Sequence, residues 1–398
     1  MYKNNHSRSH FNGGRRFNRG STAKKPRSRG QYIDPKRFIK SANPALDSDY
    51  VAKLGFADFA IHPLLKSNIA VKGYKVPSEI QDKAIPLGLA GRDIVGVANT
   101  GTGKTAAFAV PILNKLMHTH QARALIVAPT RELAIQIDDQ IRIYAKHSNI
   151  KTAILIGGLP LGRQTTSLKA APNIIIGTPG RLIDHIKQGN LRLDACSMVV
   201  LDEVDRMLDM GFINDVRYLL DLLPTQRQSF FFSATLSREV NALINTFTRE
   251  AVTVNVKAGE TSEKVNQDVV RYNGKPERLD QLHELLITGP AKKTLIFGET
   301  KYGVERLARE LKNRGFKAEA LHGGKSQGQR KRALDSFRNN GVNVLVATDV
   351  AARGIDVIDI THVINFDVPH TYDDYIHRIG RAGRAGRTGH ALTFVENT

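Results

Sequence analysis

Short apolar runs alternate with longer helix-like stretches from residue 94 onward, and this alternation constrains the fold more than any other feature. In the front half the runs cover residues 94–97, 124–128, 152–156, 173–176, 198–201, 229–232 and 252–256. Strands that are apolar along their whole length and separated by helices are typical of a parallel sheet covered on both faces. The front half therefore predicts an α/β domain.

The pattern starts afresh after a polar stretch at residues 257–263, which we interpret as a linker. The apolar runs of the rear half are residues 268–272, 294–297, 318–321, 342–346, 362–365 and 391–395. Because 398 residues exceed what one ordinary core holds, two domains are the natural division. We place the first domain at residues 83–257, the linker at 258–265 and the second domain at 266–398.

The first 40 residues carry twelve lysines and arginines against one acid, Asp34, and so supply about +11 of the formal net charge of +20. Arginines and glycines are interleaved there with Phe11 and Phe17, and no apolar period is present. Such a segment buries too little surface to offset chain entropy, so residues 1–45 are predicted to form a disordered basic arm. Its composition suits RNA phosphates and bases, and a merely solubilising tail is the alternative.

Composition also limits the cellular context. No apolar stretch approaches the length of a membrane span, and the N-terminus lacks the apolar core of a signal peptide, so we expect a cytoplasmic protein. Cys196 is the only cysteine, which excludes internal disulfides and cysteine-clustered metal sites. The excess of positive charge indicates a polyanionic partner, either nucleic acid or an anionic membrane surface.

A glycine-bearing turn follows the first apolar run and precedes a helix-compatible stretch. A strand, such a turn and a helix start form a cradle in which backbone N–H groups point at a phosphate. Lys104 can reach the β- and γ-phosphates, and the Thr105 hydroxyl can ligate Mg²⁺. The residues predicted to bind the nucleotide here are Ala98, Asn99, Thr100, Gly101, Thr102, Gly103, Lys104 and Thr105.

Acidic side chains stand where the fifth apolar run ends. Asp202 is placed to hold Mg²⁺, and Glu203 can orient or deprotonate the water that attacks the γ-phosphate. The alternative, acids that only cap the following helix, applies to Asp205 more than to the pair. Ser233 and Thr235 end the next run and suit a hydrogen-bond relay to Asp205, although hydroxyl residues are common in loops.

An arginine cluster lies near the end of the rear half, where Arg378, Arg381 and Arg384 follow His377 and are separated by glycines. This spacing makes a poor amphipathic helix and a good anion clamp. The alternative is a basic loop that faces RNA and has no catalytic part. If the clamp interpretation holds, the catalytic site is divided between two domains and is complete only when they close.

These stretches, in this order, resemble the DEAD-box RNA helicases, whose fold is two RecA-like domains. The resemblance covers residues 56–395. Residues 98–105 match the family's phosphate loop, including its initial alanine. Phe56 and Gln81 match the adenine-reading Q motif, here within residues 54–82, in which the aromatic ring stacks and the amide pairs with the base. The resemblance implies a helicase ATP-binding domain and a helicase C-terminal domain that use ATP and Mg²⁺.

The same resemblance implies roles for further residues. Asp356 would contact the ribose of ATP, while Lys104, Glu203 and two arginine fingers, Arg381 and Arg384, would be catalytic. His377 and Arg378 would couple the cleft to Asp205 and its relay. The residues implied to hold the RNA sugar–phosphate backbone, with little sequence specificity, are Pro129, Thr130, Arg131, Gly158, Thr178, Pro179, Gly180 and Arg181 in the first domain and Gln327, Arg330 and Thr348 in the second.

Together these features predict an ATP-dependent RNA helicase that binds single-stranded RNA across a two-domain cleft and remodels short duplexes and RNA–protein complexes. An ATP-gated RNA clamp or chaperone without productive unwinding is the alternative, and DNA unwinding is disfavoured by the Q motif. The tetrad at residues 202–205 has Val204 where the family has alanine, so we expect ATPase activity with altered coupling to RNA. A monomer is assumed, and ribosomal or RNA-decay proteins are candidate partners.

Overall fold

Two parallel sheets, each covered by helices, make up the computed structural model of this chain. The structure describes residues 33–42, 50–99, 101–119, 121–256, 261–289, 292–352, 355, 357, 359–383 and 387–397. The predicted α/β class and the division into two sheet-based halves are confirmed.

The first sheet has seven strands in the described residues, in the order β3-β4-β2-β5-β6-β1-β7, and all neighbours are parallel. Its central strands are buried on both faces, as their continuous apolar sequences require. The strands are β1 Ile94–Val97, β2 Arg123–Val127, β3 Thr152–Leu155, β4 Ile174–Gly177, β5 Cys196–Leu201, β6 Gln228–Ser233 and β7 Val252–Asn255.

Helices cover both faces of this sheet and form one apolar cluster on each side. Most connections run from the carboxyl end of a strand directly into a helix, so the loops at that edge converge on one region. The helices are α1 Pro63–Val71, α2 Glu79–Leu89, α3 Lys104–His118, α4 Arg131–Tyr144, α5 Leu161–Lys169, α6 Pro179–Lys187, α7 Val204–Asp209, α8 Ile213–Asp221 and α9 Arg238–Phe247.

The second sheet repeats this plan with six described strands in the order β10-β11-β9-β12-β13-β8, again all parallel. The strands are β8 Val265–Tyr272, β9 Thr294–Phe297, β10 Ala318–Leu321, β11 Val344–Ala347, β12 His362–Asn365 and β13 Gly389–Glu396. The helices are α10 Gly274–Thr288, α11 Lys301–Asn313, α12 Gln327–Arg338, α13 Asp349–Ala352 and α14 Tyr372–Ile379.

The structure departs from the sequence prediction at two boundaries. Residues 33–42, placed above in the disordered arm, include a 3₁₀ helix at Pro35–Phe38 that packs on the second domain. A proline at its start and the Asp34 side chain, which accepts a hydrogen bond from the Lys36 N–H, explain this local order. The strand β8 begins at Val265, inside the stretch assigned to the linker. Residues 1–32 lie outside the described part.

Cys196 is buried at the start of β5, and burial raises the pKa of its thiol to about 12. A buried thiol with a raised pKa is a poor nucleophile. Among the helices in the described ranges, none combines the length and the apolar character that spanning a lipid bilayer requires.

Candidate active site

The predicted phosphate loop connects β1 to α3 at the carboxyl edge of the first sheet. Its glycines permit this path, because Gly101 has a φ of 86° and Gly103 a φ of 94°. A Cβ on Gly103 would also collide with the side-chain amide of Gln81. Lys104 and Thr105 are the first residues of α3, where N–H groups have no acceptor within the helix, as an anion site requires. Thr100 lies outside the described residues.

Lys104 and Asp202 lie side by side beneath this loop. The Lys104 Nζ is 4.0 Å from the Asp202 Oδ1 and donates a hydrogen bond to the Ala98 carbonyl at 3.1 Å. Both side chains are buried. Burial raises the pKa of Asp202 to about 6, and the charge of Lys104 opposes that rise. The donor set of one carboxylate and the nearby Thr105 hydroxyl suits Mg²⁺, which takes few protein ligands and completes its shell with phosphates and water.

Glu203 occupies a strained position between this pair and α7. Its backbone is left-handed, with φ 54° and ψ 56°, which is uncommon for a residue with a side chain and typical of functional sites. Burial alone would raise the pKa of Glu203, but the charges of Arg206, Lys104 and Arg381 outweigh it and hold the pKa below its usual range. Its Oε2 lies 3.3 Å from the Arg206 Nε without a hydrogen bond. Glu203 is thus an ionised carboxylate with an unpartnered oxygen.

The structure brings Asp205, Ser233 and Thr235 together in a hydrogen-bonded relay, as predicted from their strand ends. The Asp205 Oδ2 accepts from the backbone N–H of Ala234 and of Thr235 at 3.0 and 2.9 Å, and from the Thr235 hydroxyl at 3.2 Å. The Ser233 Oγ accepts from the Asp205 N–H at 3.2 Å and donates to the Thr235 carbonyl at 2.7 Å. The end of β6 is therefore tied to the start of α7.

Gln81 binds the phosphate loop from α2. Its Oε1 accepts from the Ser78 N–H at 2.9 Å, and its Nε2 donates to the Gly103 carbonyl at 3.1 Å. The Ser78 hydroxyl donates to the Thr102 carbonyl at 2.7 Å. Phe56 is only 4% exposed and packs edge-on against Phe59, so it offers little ring surface to a base in this arrangement. That limits the stacking role that was expected of Phe56.

Arg378 and Arg381 both donate hydrogen bonds to atoms of the second domain. Arg378 is bidentate to Asp349, with both contacts at 2.6 Å, and also donates to the Asp367 carbonyl at 2.6 Å. These three contacts lie within the second domain, and the coupling of Arg378 to Asp205 stays a prediction. Arg381 donates to the Ile355 carbonyl at 3.1 Å and lies close enough to lower the pKa of Glu203. Arg384 and Asp356 lie outside the described residues.

A cavity of about 330 Å³ is bordered by residues of both domains, among them the relay of the first domain and His377 of the second. It is lined by Asp205 and Thr235 on one side and by Asp373 and His377 on the other. His377 and Asp205 thus border the same cavity, which lies between the domains.

The predicted RNA-contacting residues of the first domain lie at strand ends and helix starts. The Arg131 guanidinium packs against Gly157 and Gly158. A Cβ on Gly157 would come within 2.7 Å of the guanidinium, and Gly158 has a φ of 79°. Thr130 caps α4 with its hydroxyl. Thr178 precedes α6 at its N-cap position, and that helix opens with the remaining members of the predicted set, Pro179, Gly180 and Arg181. Pro129 is buried beside Thr130.

In the second domain, Arg330 does not stand free for RNA. It forms an ion pair of 2.7 Å with Glu132 of the first domain, and both side chains are buried. This contact joins α12 to the start of α4. Gln327, at the start of α12, is largely buried with its Oε1 unpartnered, so it retains an acceptor for a hydroxyl group. Thr348 follows β11 and is half-buried.

Three residues that sequence analysis did not single out contribute to the site. Arg206 pairs with Glu203, Glu132 pairs with Arg330, and Asp349 orients Arg378. Arg206 could have been found from its position three residues after Glu203 on one helix face. The other two pairs join residues far apart in the chain, and no local pattern reports them.

Two family patterns match the chain. The DEAD/DEAH box helicase family matches residues 78–243. The helicase conserved C-terminal domain matches residues 275–386. The first span contains the phosphate loop, Asp202, Glu203 and the relay, and the second contains the arginine cluster.

Individual relatives agree with these matches. The chain is 41% identical over 343 residues to the ATP-dependent RNA helicase CshA of Listeria monocytogenes, covering 86% of this chain and 66% of the relative. It is 42% identical over 341 residues to the DEAD-box ATP-dependent RNA helicase CshA of Bacillus subtilis, covering 85% and 69%. Among solved structures, S. cerevisiae Dbp5 bound to RNA and ADP BeF3 matches with a TM-score of 0.77 and 30% identity, covering 86% of this chain and 90% of that one.

Proposed function

This chain belongs to the DEAD/DEAH box helicase family, and on that premise we propose that it is an RNA-dependent ATPase that unwinds short RNA duplexes by closing two RecA-like domains over ATP. One observation carries the proposal. The buried, ionised Glu203 of the first domain lies within the electrostatic reach of Arg381 from the second. A hydrolytic site assembled from both domains can respond to whatever brings them together.

In this proposal the first domain binds the nucleotide. The loop at residues 98–105 holds the phosphates. The Lys104 ammonium, which here donates to the Ala98 carbonyl, exchanges that contact for one with the phosphate oxygens. Gln81 fixes the loop from below and pairs with adenine through its remaining donor and acceptor, while Phe56 supports the base and Asp356 contacts the ribose. Mg²⁺, when bound by Thr105 and Asp202, would supply charge neutralisation at the phosphates.

Hydrolysis follows from the protonation state of Glu203. Because neighbouring charges hold its pKa low, the carboxylate is available near neutral pH to orient the attacking water and accept its proton. Arg381, and with it Arg384, stabilises the negative charge that develops on the γ-phosphate oxygens. Separation of the domains moves these arginines away from the nucleotide. ATP hydrolysis therefore requires the two domains to close.

RNA is the ligand that we propose to drive closure. The strand lies along Arg131, Gly158 and Thr178 of the first domain and along Gln327 and Thr348 of the second, bound mainly through its sugar–phosphate backbone. The Glu132–Arg330 ion pair beside this path requires both domains to be in position. Asp205 and its relay then transmit the closed state to His377 across the cavity.

An ATP-gated RNA clamp that does not unwind is the other candidate, and the named activity of the two bacterial relatives disfavours it. A strand-displacement assay distinguishes the two functions. We expect a short RNA duplex with a single-stranded flank to separate in the presence of ATP and to stay annealed without ATP or with the variant Lys104→Ala. ATP-dependent retention on RNA without displacement would favour the clamp.

The variant Glu203→Gln identifies the cellular substrate. It preserves the shape of the side chain but removes the proton acceptor, so we expect ATP and RNA binding with stalled turnover. Sequencing of RNA cross-linked to this stalled form, with the wild-type protein as control, would report which RNA is bound and whether ribosomal or RNA-decay proteins accompany it. Full activity of this variant would remove Glu203 from its assigned role. Since RNA and ATP occur together in the cytoplasm, we place the working protein there, as a monomer.

A further inference from the structure

Residues 33–42 bind the second domain although the next described residues, from Tyr50 onward, belong to the first. The backbone of Lys40 exchanges two hydrogen bonds with Gln267 of β8, at 3.0 and 2.8 Å. The Ala42 N–H donates to the Asn266 side chain at 2.8 Å. Because β8 is the edge strand of its sheet, this segment satisfies backbone groups that the sheet leaves open.

Side chains fasten the same segment to α14. Phe38 is fully buried, with its ring centroid 4.6 Å from that of Tyr375, and the Arg37 guanidinium lies 3.9 Å above the Tyr372 ring. The Tyr375 hydroxyl in turn donates to the Gln267 side chain at 2.9 Å. The helix that is held in this way carries His377 and Arg378 and ends two residues before Arg381.

A second attachment point lies on the first domain. The Tyr50 hydroxyl and the Lys53 N–H, the latter at 2.8 Å, both donate to the Asp82 Oδ2. Asp82 is buried in α2, directly after Gln81. The hydrogen bond to Asp82 and burial together raise the pKa of Tyr50 to about 12, so its hydroxyl remains a donor at neutral pH.

We propose that residues 33–42 and 50–53, which we name the strap, form a second connection between the domains and limit how far they separate. The strap is continuous in sequence with the first domain and is held to the second by hydrogen bonds and packing. The chain takes eight residue steps from Ala42 to Tyr50. While both ends stay attached, these two points cannot lie more than about 29 Å apart. The domains are then joined twice, by the strap and by the chain that follows Val256. The strap keeps Arg381 near the nucleotide loop and lowers the entropic cost of closure.

Lengthening the connection tests this proposal without disturbing either attachment. We would insert 20 Gly/Ser residues between Ala45 and Leu46 of the full chain and, as a matched control, the same sequence after Met1. Effective concentration falls as the −3/2 power of length, so the RNA concentration for half-maximal ATPase should rise by up to about sixfold, with kcat unchanged. An unchanged RNA concentration for half-maximal ATPase would overturn the proposal and would show that the strap only packs against the second domain.

Point variants test the two attachments. Phe38→Ala removes the buried anchor, and Ile39→Ala, whose side chain is 58% exposed, is its control. Tyr50→Phe removes the hydroxyl at Asp82, and Val51→Ala, 84% exposed, is the control. We expect each anchor variant to raise the RNA half-saturation several-fold and each control to leave it unchanged. A fall in kcat at saturating RNA, without a change in half-saturation, would contradict the strap and indicate support of α14 alone.

A distance measurement separates this inference from the proposed function. Dyes on cysteines introduced at Arg192 and Ile287, both exposed, report domain separation, since the native Cys196 is buried. In the absence of ATP and RNA, the lengthened chain and Phe38→Ala should show a longer mean distance than wild type. This readout needs no helicase activity. Identical distance distributions would refute the strap even in a fully active enzyme.

Discussion

The two domains have the same architecture, but the carboxyl edge of the first sheet positions a carboxylate, whereas that of the second positions a guanidinium. In the first domain, the carboxylate of Asp205 is held by backbone N–H groups at the end of β6. In the second domain, Arg378 is held by the Asp349 carboxylate and a backbone carbonyl at the corresponding edge. Each half therefore assembles its own portion of the site before the two meet.

This difference teaches how one fold can serve as both a binding and an activating domain. The residues that follow a strand decide the role, because the loops at the carboxyl edge carry the chemistry while the strands set their spacing. The first domain has a loop and a helix start that receive an anion, and the second has guanidinium groups that complete the anion site. The predictions below test whether ATP affinity depends mainly on the first domain and turnover mainly on the second.

The largest expected effect contrasts Lys104→Ala with Arg381→Ala. Removing the Lys104 charge should weaken ATP binding about 100-fold or more, since a charge-assisted contact to phosphate is lost. Removing Arg381 should leave ATP affinity within about tenfold but lower kcat by roughly 1,000-fold. Titration with a fluorescent ATP analogue and single-turnover hydrolysis measure the two quantities. Loss of affinity in Arg381→Ala equal to that in Lys104→Ala would break the comparison.

The Glu132–Arg330 pair gives the next largest effect, because it exists only between the domains. Arg330→Ala would leave Glu132 buried and uncompensated on closure, at a cost of about 3 kcal/mol, so the RNA half-saturation should rise about 100-fold. The double variant Glu132→Gln with Arg330→Gln should recover much of that loss. The control is the melting temperature of the ligand-free protein, in which the domains are open. A large change in that temperature in Arg330→Ala would show that the pair stabilises the protein without closure.

A titrating histidine distinguishes the second domain at acid pH. Burial and the stacked ring of His390 lower the pKa of His362 to about 4. Because the unfolded chain binds this proton near its ordinary pKa of 6.5, stability of the domain falls as pH drops from 6.5 towards 4. Hydrogen exchange of β12 should report a loss of roughly 2 kcal/mol between pH 7 and pH 4.5.

The matched variants for that experiment are His362→Phe and His370→Phe. The first keeps a stacked ring but removes the titration, so the pH dependence should disappear. His370 is exposed, and its replacement should leave the slope unchanged. Exchange of β1 in the first domain serves as the internal reference. A slope that survives in His362→Phe would mean that other groups carry the acid sensitivity.

The smallest expected effect comes from Val204→Ala, which introduces the residue that the family resemblance leads us to expect in the tetrad. Val204 is fully buried with Met207 in the cluster beneath α7, so the change should lower the unfolding free energy of the first domain by about 1 to 2 kcal/mol. We expect ATP hydrolysis to persist and its stimulation by RNA to change a few-fold. Identical stimulation in both proteins would show that the valine is neutral for coupling.

Most of the fold could be predicted because its strands are short, apolar and buried on both faces. Residues 94–97 and 294–297 match β1 and β9 at both ends. The start of β8 was missed because Asn266 and Gln267 are polar. They belong to the strand because they pair with β13 on one side, while residues 40 and 42 bind them on the other. The pattern that identifies a buried strand does not extend to an edge with a distant partner.

The same limit applies to the site. Lys104, Asp202 and Glu203 follow strands within one domain, so local sequence indicates their roles. The partner of Arg330 lies almost 200 residues away, and the environment that limits stacking on Phe56 depends on Phe59 and Tyr74 folding around it. Contacts that form only after tertiary packing leave no periodic trace in the chain.

The guanidinium of Arg131 that rests on two glycines has a consequence for how such a chain can diverge. An added methyl group at Gly157 would occupy the space of that guanidinium, and Gly158 holds a backbone angle that side chains resist. A side chain at Gly157 therefore requires the flexible end of Arg131 to move away, whereas a side chain at Gly158 is strained by the backbone angle whatever the arginine does. Arg131 and Gly157 should therefore tolerate change more readily as a pair than singly, while Gly158 constrains the loop on its own.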